Sequence, residues 1–438
     1  MTGVSGGGFH VYSGSAAAGI GKISADGNAA SIGPVGANDA VGAPIYIGDS
    51  PIADAPLAGL LGEVIVVPYD LAPADDMHKR IIGYLAAKWG VQQRLAAAHP
   101  YRYTAPVTGR TPVPAQLVNR GPAMIPRGPS GSWYEANIFD PRPMVDPFDA
   151  TKLMMYTTGQ MAPVGSGTAS IGLWRASKAD FVAWTINKSL PNPWTFDRIA
   201  LQKAAAGQWD GKPGGVRLGS VVYRAGVFYL YYASQLDLTK IGLATSPDGV
   251  IFTRLASNPI LSPAAQDRID GTDVGDPFVI YDDGRWTMVY SYRTASDVLP
   301  GYRYAISTDG KAWVKSGDGD ILSRPRRGLQ TESHQVLRRG GRYYMVFEMG
   351  GSPADKTPYR NFLAAAEQLK GPYTIKKLLV AERGAGAATT DTLHVATPFL
   401  FALDGQGYLF WQGAGDLAQP YYNNRWDLFA TQVANALS

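Results

Sequence analysis

One pattern of strands and turns recurs five times between Trp133 and the C-terminus. Each unit has an aromatic strand bounded by turns, then a strand of small residues, a turn and another aromatic residue. The units lie at residues 152–184, 219–252, 276–313, 343–373 and 397–430. A period of roughly 55–70 residues leaves room for four short strands in each unit. The repeat constrains the fold more than any other feature of the sequence.

Five such units predict an all-β fold, a five-bladed β-propeller. The pairs Asp248-Gly249 and Asp309-Gly310 occupy equivalent places in the two clearest units, and Gly supplies the positive φ that a tight hairpin needs. The 51 Gly and 31 Pro also favour short strands and tight turns. A β-sandwich is the alternative, but sandwiches rarely repeat one strand order five times.

Residues 1–92 form a separate predicted module. Strands are predicted at residues 44–48 and 60–67, and one helix at residues 73–89. The helix has apolar residues at every fourth position, namely Met77, Ile81, Leu85 and Trp89. Such a stripe lies on a single helix face.

This module resembles the C-terminal half of a concanavalin-like or laminin-G-like jelly roll. The similar stretches are residues 45–48, residues 62–66 and the helix end at residues 84–90. The resemblance implies a partial β-sandwich that serves attachment or binding, and it could join the chain to a larger assembly. Residues 93–132 follow with seven prolines, and we interpret them as an extended connector, because proline fixes φ and removes a hydrogen-bond donor.

Three acidic residues stand where the propeller would bring them together. The first strand of each blade lines the central channel, so residues near the start of these strands converge. Asp140 and Asp276 each precede a proline, which cannot continue a central ladder and is therefore predicted at a strand's first residue, and Glu332 begins the corresponding strand of blade four. The nearby residues Asp146, Asp273 and Asp282 are rivals, but Asp146 and Asp282 lie in apparent hairpin turns, where Asp is common.

The order of these acids resembles that of the five-bladed propeller glycosidases, above all the family 43 glycoside hydrolases. The resemblance covers residues 133–438. It implies that Asp140 is a general base, that Asp276 adjusts the pKa of the acid, and that Glu332 is the general acid. It also implies inversion at the sugar carbon, a reaction that needs about 6.5–9.5 Å between the acid and base carboxyl groups. The alternative is that these carboxylates cap backbone donors.

Further residues near the strand ends are candidates for saccharide binding, namely Trp133, Arg142, Arg217, Arg293 and His334. His394 takes the corresponding place in blade five. In relatives of this type a histidine there lies near a central calcium or water cluster, so the resemblance allows a structural calcium with His394 nearby. The alternative for His394 is a packed structural role. The proposed reaction needs no cofactor.

Charge and composition exclude several other classes of partner. The net charge is +4 over 438 residues, and the basic residues are mixed with acidic ones, so no nucleic-acid surface is predicted. No stretch approaches about 18 uninterrupted apolar residues, so no membrane insertion is predicted. The sequence has no Cys, which excludes disulfides and thiolate chemistry.

The sequence thus predicts a saccharide-recognising propeller, with an inverting glycoside hydrolase acting on a polysaccharide as the first hypothesis. The second is a non-catalytic glycan-binding adhesin, or a receptor-binding spike or fibre of a phage-like particle. The N-terminus lacks a basic region followed by an apolar core, which a secretory signal requires. We therefore expect an extracellular or particle-surface location reached by lysis or a dedicated route, or otherwise a cytoplasmic one.

Overall fold

The computed structural model describes residues 12–17, 20–25, 28–34, 116–117, 119–163, 167–234, 240–263, 273–294, 297–316, 320–322, 330–350, 358–381, 383, 390–415 and 425–434. The chain divides into two compact units, residues 1–111 with 324–327, and residues 112–323 with 328–438.

The described part of the first unit is a three-stranded antiparallel sheet. It contains β1 (Tyr12–Ala17), β2 (Ile20–Ala25) and β3 (Asn28–Pro34), paired in that order. The predicted strands at residues 44–48 and 60–67 and the predicted helix at residues 73–89 lie outside the described residues. The jelly-roll resemblance therefore stays a prediction.

The second unit contains five four-stranded antiparallel sheets, and each sheet is one blade. The short strand β4 (Gln116–Leu117) precedes the first blade in sequence. Blade one contains β5 (Asn137–Val145), β6 (Lys152–Gln160), β7 (Ala169–Ser177) and β8 (Thr195–Leu201). Blade two contains β9 (Val216–Arg224), β10 (Val227–Ser234), β11 (Ile241–Ser246) and β12 (Thr253–Arg254).

The remaining blades follow the same antiparallel order. Blade three contains β13 (Asp273–Asp282), β14 (Arg285–Thr294), β15 (Asp297–Ser307) and β16 (Val314–Lys315). Blade four contains β17 (Gln330–Arg339), β18 (Arg342–Gly350), β19 (Arg360–Ala366) and β20 (Thr374–Val380). Blade five contains β21 (His394–Leu403), β22 (Gln406–Ala414) and β23 (Trp426–Ala434), and β4 is its fourth strand. The predicted five-bladed β-propeller is confirmed.

An early segment of the chain completes the last blade. β4 pairs with β23 through Leu117 and Val433, and Ile125 forms a further bridge with Leu428. Leu117 and Ile125 both lie within residues 93–132, the segment that its proline content predicted to be an extended connector. Pairing of the two ends of the propeller closes the ring and leaves no unpaired edge on β23 there.

The first strands of the five blades form the inner ring of the propeller. β5, β9, β13, β17 and β21 contact one another in that order, and β21 contacts β5. Five buried apolar clusters lie between neighbouring blades, one cluster for each pair. Because each blade buries both faces against its neighbours, the core is distributed around the ring and the polar inner strands are left to face its centre.

Equivalent turns attach blade two to blade one and blade three to blade two. In the Asp248-Gly249 turn of blade two, the carbonyl of Gly249 accepts a hydrogen bond from the hydroxyl of Tyr156 in blade one, over 2.6 Å. The corresponding turn of blade three repeats this contact, with 2.8 Å between the hydroxyl of Tyr231 and the carbonyl of Gly310. Gly249 and Gly310 have φ of 72° and 73°, the conformation predicted for these pairs.

One helix of the propeller was not predicted. α1 (Lys178–Ile186) follows β7, and the Ser177 hydroxyl caps it by accepting the N–H of Asp180 over 3.1 Å. Its buried Phe181 stacks on Phe410 of blade five, with 5.5 Å between ring centroids. Trp184, assigned to a blade-one strand pattern, lies in this helix. No helix in the described residues is long and apolar enough to span a membrane.

Candidate active site

Every inner strand carries an irregularity at the same place. The pairing register shifts across Asp140-Pro141 in β5, Asp276-Pro277 in β13, Glu332-Ser333 in β17 and Thr397-Pro398 in β21, and it also shifts at Gly219 in β9. Proline removes a donor from the ladder, which explains why Pro is the second residue at three of these register shifts. A bulge re-aims the side chain of its strand. The prediction that the acids stand at the start of the inner strands is therefore wrong, because each acid lies inside its strand as a bulge residue.

The bulge conformation at two of the acids is unusual and is held by polar neighbours. Asp140, Asp276 and Thr397 have φ of 53°, 45° and 44°, a region that residues other than Gly seldom occupy. The hydroxyl of Thr158 donates to Oδ2 of Asp140 over 2.9 Å, and that of Ser291 donates to Oδ2 of Asp276 over 2.8 Å. Such backbone strain persists only where the surroundings fix it, and it is concentrated at functional sites.

Arg217 of blade two brings the three acids together. Its Nε lies 3.1 Å from Oδ2 of Asp140, and its Nη1 lies 3.4 Å from Oδ1 of Asp276 and 3.7 Å from Oε2 of Glu332. Blades one, three and four thus each place a carboxyl group against one guanidinium. The predicted convergence of Asp140, Asp276 and Glu332 at the centre of the propeller is observed.

The acids and the arginine are shielded from water. Asp140 is 0% exposed, and Asp276, Glu332 and Arg217 are each at most 8% exposed. Burial by itself would lower the pKa of Arg217, but the three carboxylates outweigh burial and raise it well above its usual value. Arg217 is therefore a permanent positive charge among three acids that would otherwise repel one another.

Two residues that were not predicted as site residues complete the polar network. The hydroxyl of Ser333 donates to Oδ1 of Asp140 over 3.2 Å and accepts from Nη2 of Arg217 over 2.8 Å. Oε1 of Glu348 accepts the N–H of Ser333 over 3.3 Å. The sequence signal for Glu348 was a single charged residue inside the otherwise apolar second half of β18.

Two candidate saccharide ligands are instead packed inside the propeller. Nε of Arg142 donates to the carbonyl of Gly219 over 2.6 Å, and its guanidinium lies over the rings of Phe278 and Phe399. Burial lowers the pKa of Arg142 to about 10. Both ring nitrogens of His334 face backbone carbonyls, at 3.2 Å and 3.1 Å, so neither is directed at a ligand.

The structure describes fewer contacts for two further candidate saccharide ligands, Trp133 and Arg293. Trp133 is half-buried and packs against blade one, with Phe196 5.2 Å and Trp174 6.3 Å away between ring centroids. Arg293 pairs with Asp273 in the β13–β14 ladder, and its side chain lies outside the described residues. Among the described side chains of the predicted set, Arg217 contacts the carboxyl groups of the acids, whereas His334 contacts only the backbone carbonyl of Glu332.

The rival carboxylates have local partners away from the acids. Oδ2 of Asp146 lies 3.0 Å from Nη1 of Arg175, and Oδ1 of Asp282 lies 3.0 Å from Nη1 of Arg338. Both acids occur after the inner strand has passed its bulge, which separates them from the site. These contacts agree with the hairpin-turn roles that the sequence indicated.

The candidate metal residue His394 is engaged with protein groups. Its Nδ1 accepts the N–H of Tyr359 over 3.2 Å, and its ring lies 5.8 Å from that of Trp426. Within the part of the chain that the structure describes, no group of three or more His, Cys, Asp or Glu side chains could hold a metal ion. The structural calcium that the resemblance allows stays a prediction.

Solved structures with a similar fold include two proteins described as glycoside-cleaving enzymes. A glycoside hydrolase structure superposes with a TM-score of 0.55 at 16% identity, over 73% of this chain and 92% of that chain. An α-L-arabinofuranosidase from Podospora anserina, in complex with cellotriose, superposes with a TM-score of 0.52 at 14% identity, over 74% of this chain and 98% of that chain. No protein-family model and no curated protein matches the chain. Similarity at this identity establishes the shared propeller fold.

Proposed function

We propose that the propeller is a glycoside hydrolase that acts on a polysaccharide. The observation that carries this proposal is the contact of one guanidinium, that of Arg217, with carboxyl groups from three different blades. Structural carboxylates on unrelated strands have no reason to converge, because each buried charge costs free energy. Acetal hydrolysis does give a reason, since it uses one carboxyl group as an acid and another as a base.

The contacts support distinct roles for the three acids. Asp140 receives hydrogen bonds from Thr158, Arg217 and Ser333, which hold its carboxyl group in a fixed position for the role of general base. Glu332 lies 3.7 Å from Arg217 and 3.5 Å from the hydroxyl of Tyr359. We assign it the role of general acid, which gives its proton to the leaving oxygen.

Asp276 suits an electrostatic role. It accepts a hydrogen bond from Ser291 and lies 3.4 Å from Arg217, on the same Nη1 atom that faces Glu332. A negative charge there opposes the ionisation of Glu332 by repulsion, which raises the tendency of Glu332 to stay protonated. Asp276 also competes with Glu332 for the positive charge of Arg217, which acts in the same direction.

The proposed reaction breaks the bond between the sugar C1 and the glycosidic oxygen. Glu332 transfers its proton to that oxygen as the bond lengthens, and positive charge develops on the sugar ring. Asp140 takes a proton from a water molecule, whose oxygen attacks C1 from the opposite face. The products are a sugar of inverted configuration and a free hydroxyl on the leaving chain, and the two carboxyl groups have exchanged their protonation states.

The alternative is a propeller that binds a glycan without cleaving it, as an adhesin or a receptor-binding part of a phage-like particle would. Incubation with a panel of plant and bacterial polysaccharides separates the two functions. The proposal predicts that the wild-type protein releases reducing sugar from at least one polysaccharide and that Glu332→Gln binds the same polysaccharide with little release. Binding by both proteins without release would establish the alternative.

A further inference from the structure

Glu348 faces the bulge that carries Glu332. In the β17–β18 ladder, Thr331 pairs with Met349 and His334 pairs with Phe347, so Glu348 stands opposite the two residues of the bulge. Glu348 is 0% exposed, and both of its carboxyl oxygens accept backbone N–H groups, so they are directed at the protein. The neighbouring residues of β18 are apolar on both sides, so the carboxyl group is not part of a general polar surface.

The Glu348 carboxyl group joins two bulges. Its Oε1 accepts the N–H of Ser333, the residue after Glu332, over 3.3 Å. Its Oε2 accepts the N–H of Thr397, the bulge residue of blade five. The positions opposite the bulges of blades one, three and five are Thr157, Tyr290 and Trp411, so a carboxylate is special to blade four.

The charges around Glu348 oppose its ionisation. Burial raises the pKa of Glu348 well above its usual value, and the charge of Glu332 and, more weakly, that of Asp276 add to the rise. Arg217 and the hydrogen bond from Thr397 act in the opposite direction. Such a buried acid costs stability when it ionises, so a role in the fold alone would be served better by a neutral residue.

We propose that Glu348 is a positioning residue for the acid Glu332, an inference that rests on the proposed glycosidase function. By fixing the N–H of Ser333, Glu348 sets the path of the backbone directly after Glu332. The hydroxyl of Ser333 contacts both Asp140 and Arg217, so the same anchor sets the acid relative to the base. Small errors in such a distance are costly, because catalysis depends on the alignment of the reacting groups.

Glu348→Gln and Glu348→Ala test this role. Gln has almost the same shape, but its NH₂ group replaces one oxygen, so one of the two backbone N–H groups loses its acceptor. We expect kcat to fall at least tenfold in Glu348→Gln and further in Glu348→Ala, with KM within about twofold of wild type. Thr157→Val is the matched control, since Thr157 stands opposite the blade-one bulge but its hydroxyl accepts from Trp174, and its kcat should be unchanged.

The pH dependence of the melting temperature gives a second readout that does not need activity. Because the folded state holds the proton of Glu348 more tightly than the unfolded chain, wild type loses stability as pH rises above the usual glutamate range. Glu348→Gln lacks this loss, so its melting temperature should increase relative to that of wild type as pH rises from 4 to 7. If Glu348→Gln does not fold, Glu348→Asp is measured, with the same expected loss of kcat at constant KM.

The outcomes distinguish this inference from the function on which it rests. Sugar release by wild type with an unchanged kcat in Glu348→Gln would overturn the positioning role and leave the glycosidase proposal intact. Equal losses of kcat and of saccharide binding would also overturn it, because they indicate a general structural role. Absence of release by wild type on every polysaccharide would remove the glycosidase proposal and the positioning role together.

Discussion

Arg217 of blade two donates from Nε to Oδ2 of Asp140 in blade one, over 3.1 Å, and its side chain is only 10% exposed. The same guanidinium faces Asp276 and Glu332, so a single positive charge compensates acids from three blades. This arrangement keeps like charges in close proximity without the repulsion that would otherwise separate the inner strands.

Removal of that charge should destabilise the propeller. Arg217→Met removes the positive charge that three buried carboxyl groups share, and we expect a loss of about 3–5 kcal/mol in the free energy of unfolding at pH 7. The loss should shrink at pH 4, where the carboxyl groups can take up protons. Urea unfolding at both pH values measures it, and Arg198→Met, at an exposed arginine, is the control. A loss independent of pH would contradict the charge argument.

The acid and base roles predict different responses to the leaving group. Glu332→Gln should lose about 10²–10⁴-fold in kcat on a polysaccharide, because the leaving oxygen is no longer protonated. An aryl glycoside of the released sugar with an acidic phenol as leaving group should restore most of the rate, since it departs without a proton. Asp140→Asn should remain slow on both substrates. Equal losses for both variants on both substrates would rule out these assignments.

His334 should make the protein sensitive to acid. Burial lowers the pKa of His334 to about 4, so the folded state binds its proton less tightly than the unfolded chain does. Its contribution to stability is present above the unfolded value of about 6.5 and is lost as pH falls towards 4, by about 3 kcal/mol in total. As pH falls from about 6.5 to about 4, the melting temperature of His334→Phe should decrease less than that of wild type. Phe278→Leu alters the packing near His334 but removes no titrating group, so its melting temperature should decrease as much as that of wild type.

The closure of the ring can be tested at Asp391. This buried carboxylate lies 2.5 Å from Nη2 of Arg120, in the segment after β4, and 2.7 Å from Nε of Arg383. Asp391→Asn removes the charge that both arginines face, and we expect a loss of about 2–3 kcal/mol in the free energy of unfolding. Lys152→Gln, at an exposed ion pair with Asp149, should change the unfolding free energy by under about 1 kcal/mol. Equal effects of the two substitutions would contradict a role for Asp391 in closure.

The sequence predicted the propeller and its three acids because both leave local signals. Repeated turns and aromatic strands define the blades, and Asp-Pro identifies a place where an inner strand cannot continue its ladder. Helix α1 also had a signal, the Ser177 and Asp180 spacing of an N-terminal cap, but the sequence analysis missed it and assigned Trp184 to the blade-one strand pattern.

The partners of the acids could not be predicted in the same way. Sequence periodicity gives the face of a strand on which a side chain lies, but a bulge changes that face. Arg142, two residues after Asp140, was therefore expected at a ligand, yet it packs against Phe278 and Phe399. Glu348 was overlooked because its contacts, to Ser333 and Thr397, join strands that are distant in sequence.

The configuration of the first sugar released by the wild-type protein tests the central claim most directly. Proton NMR of the anomeric signals during hydrolysis identifies this product before the two anomers interconvert. If Glu332 protonates the leaving oxygen while Asp140 activates water on the opposite face, the inverted anomer must appear first. First appearance of the retained anomer, or no released sugar from any polysaccharide that the protein binds, would contradict the account.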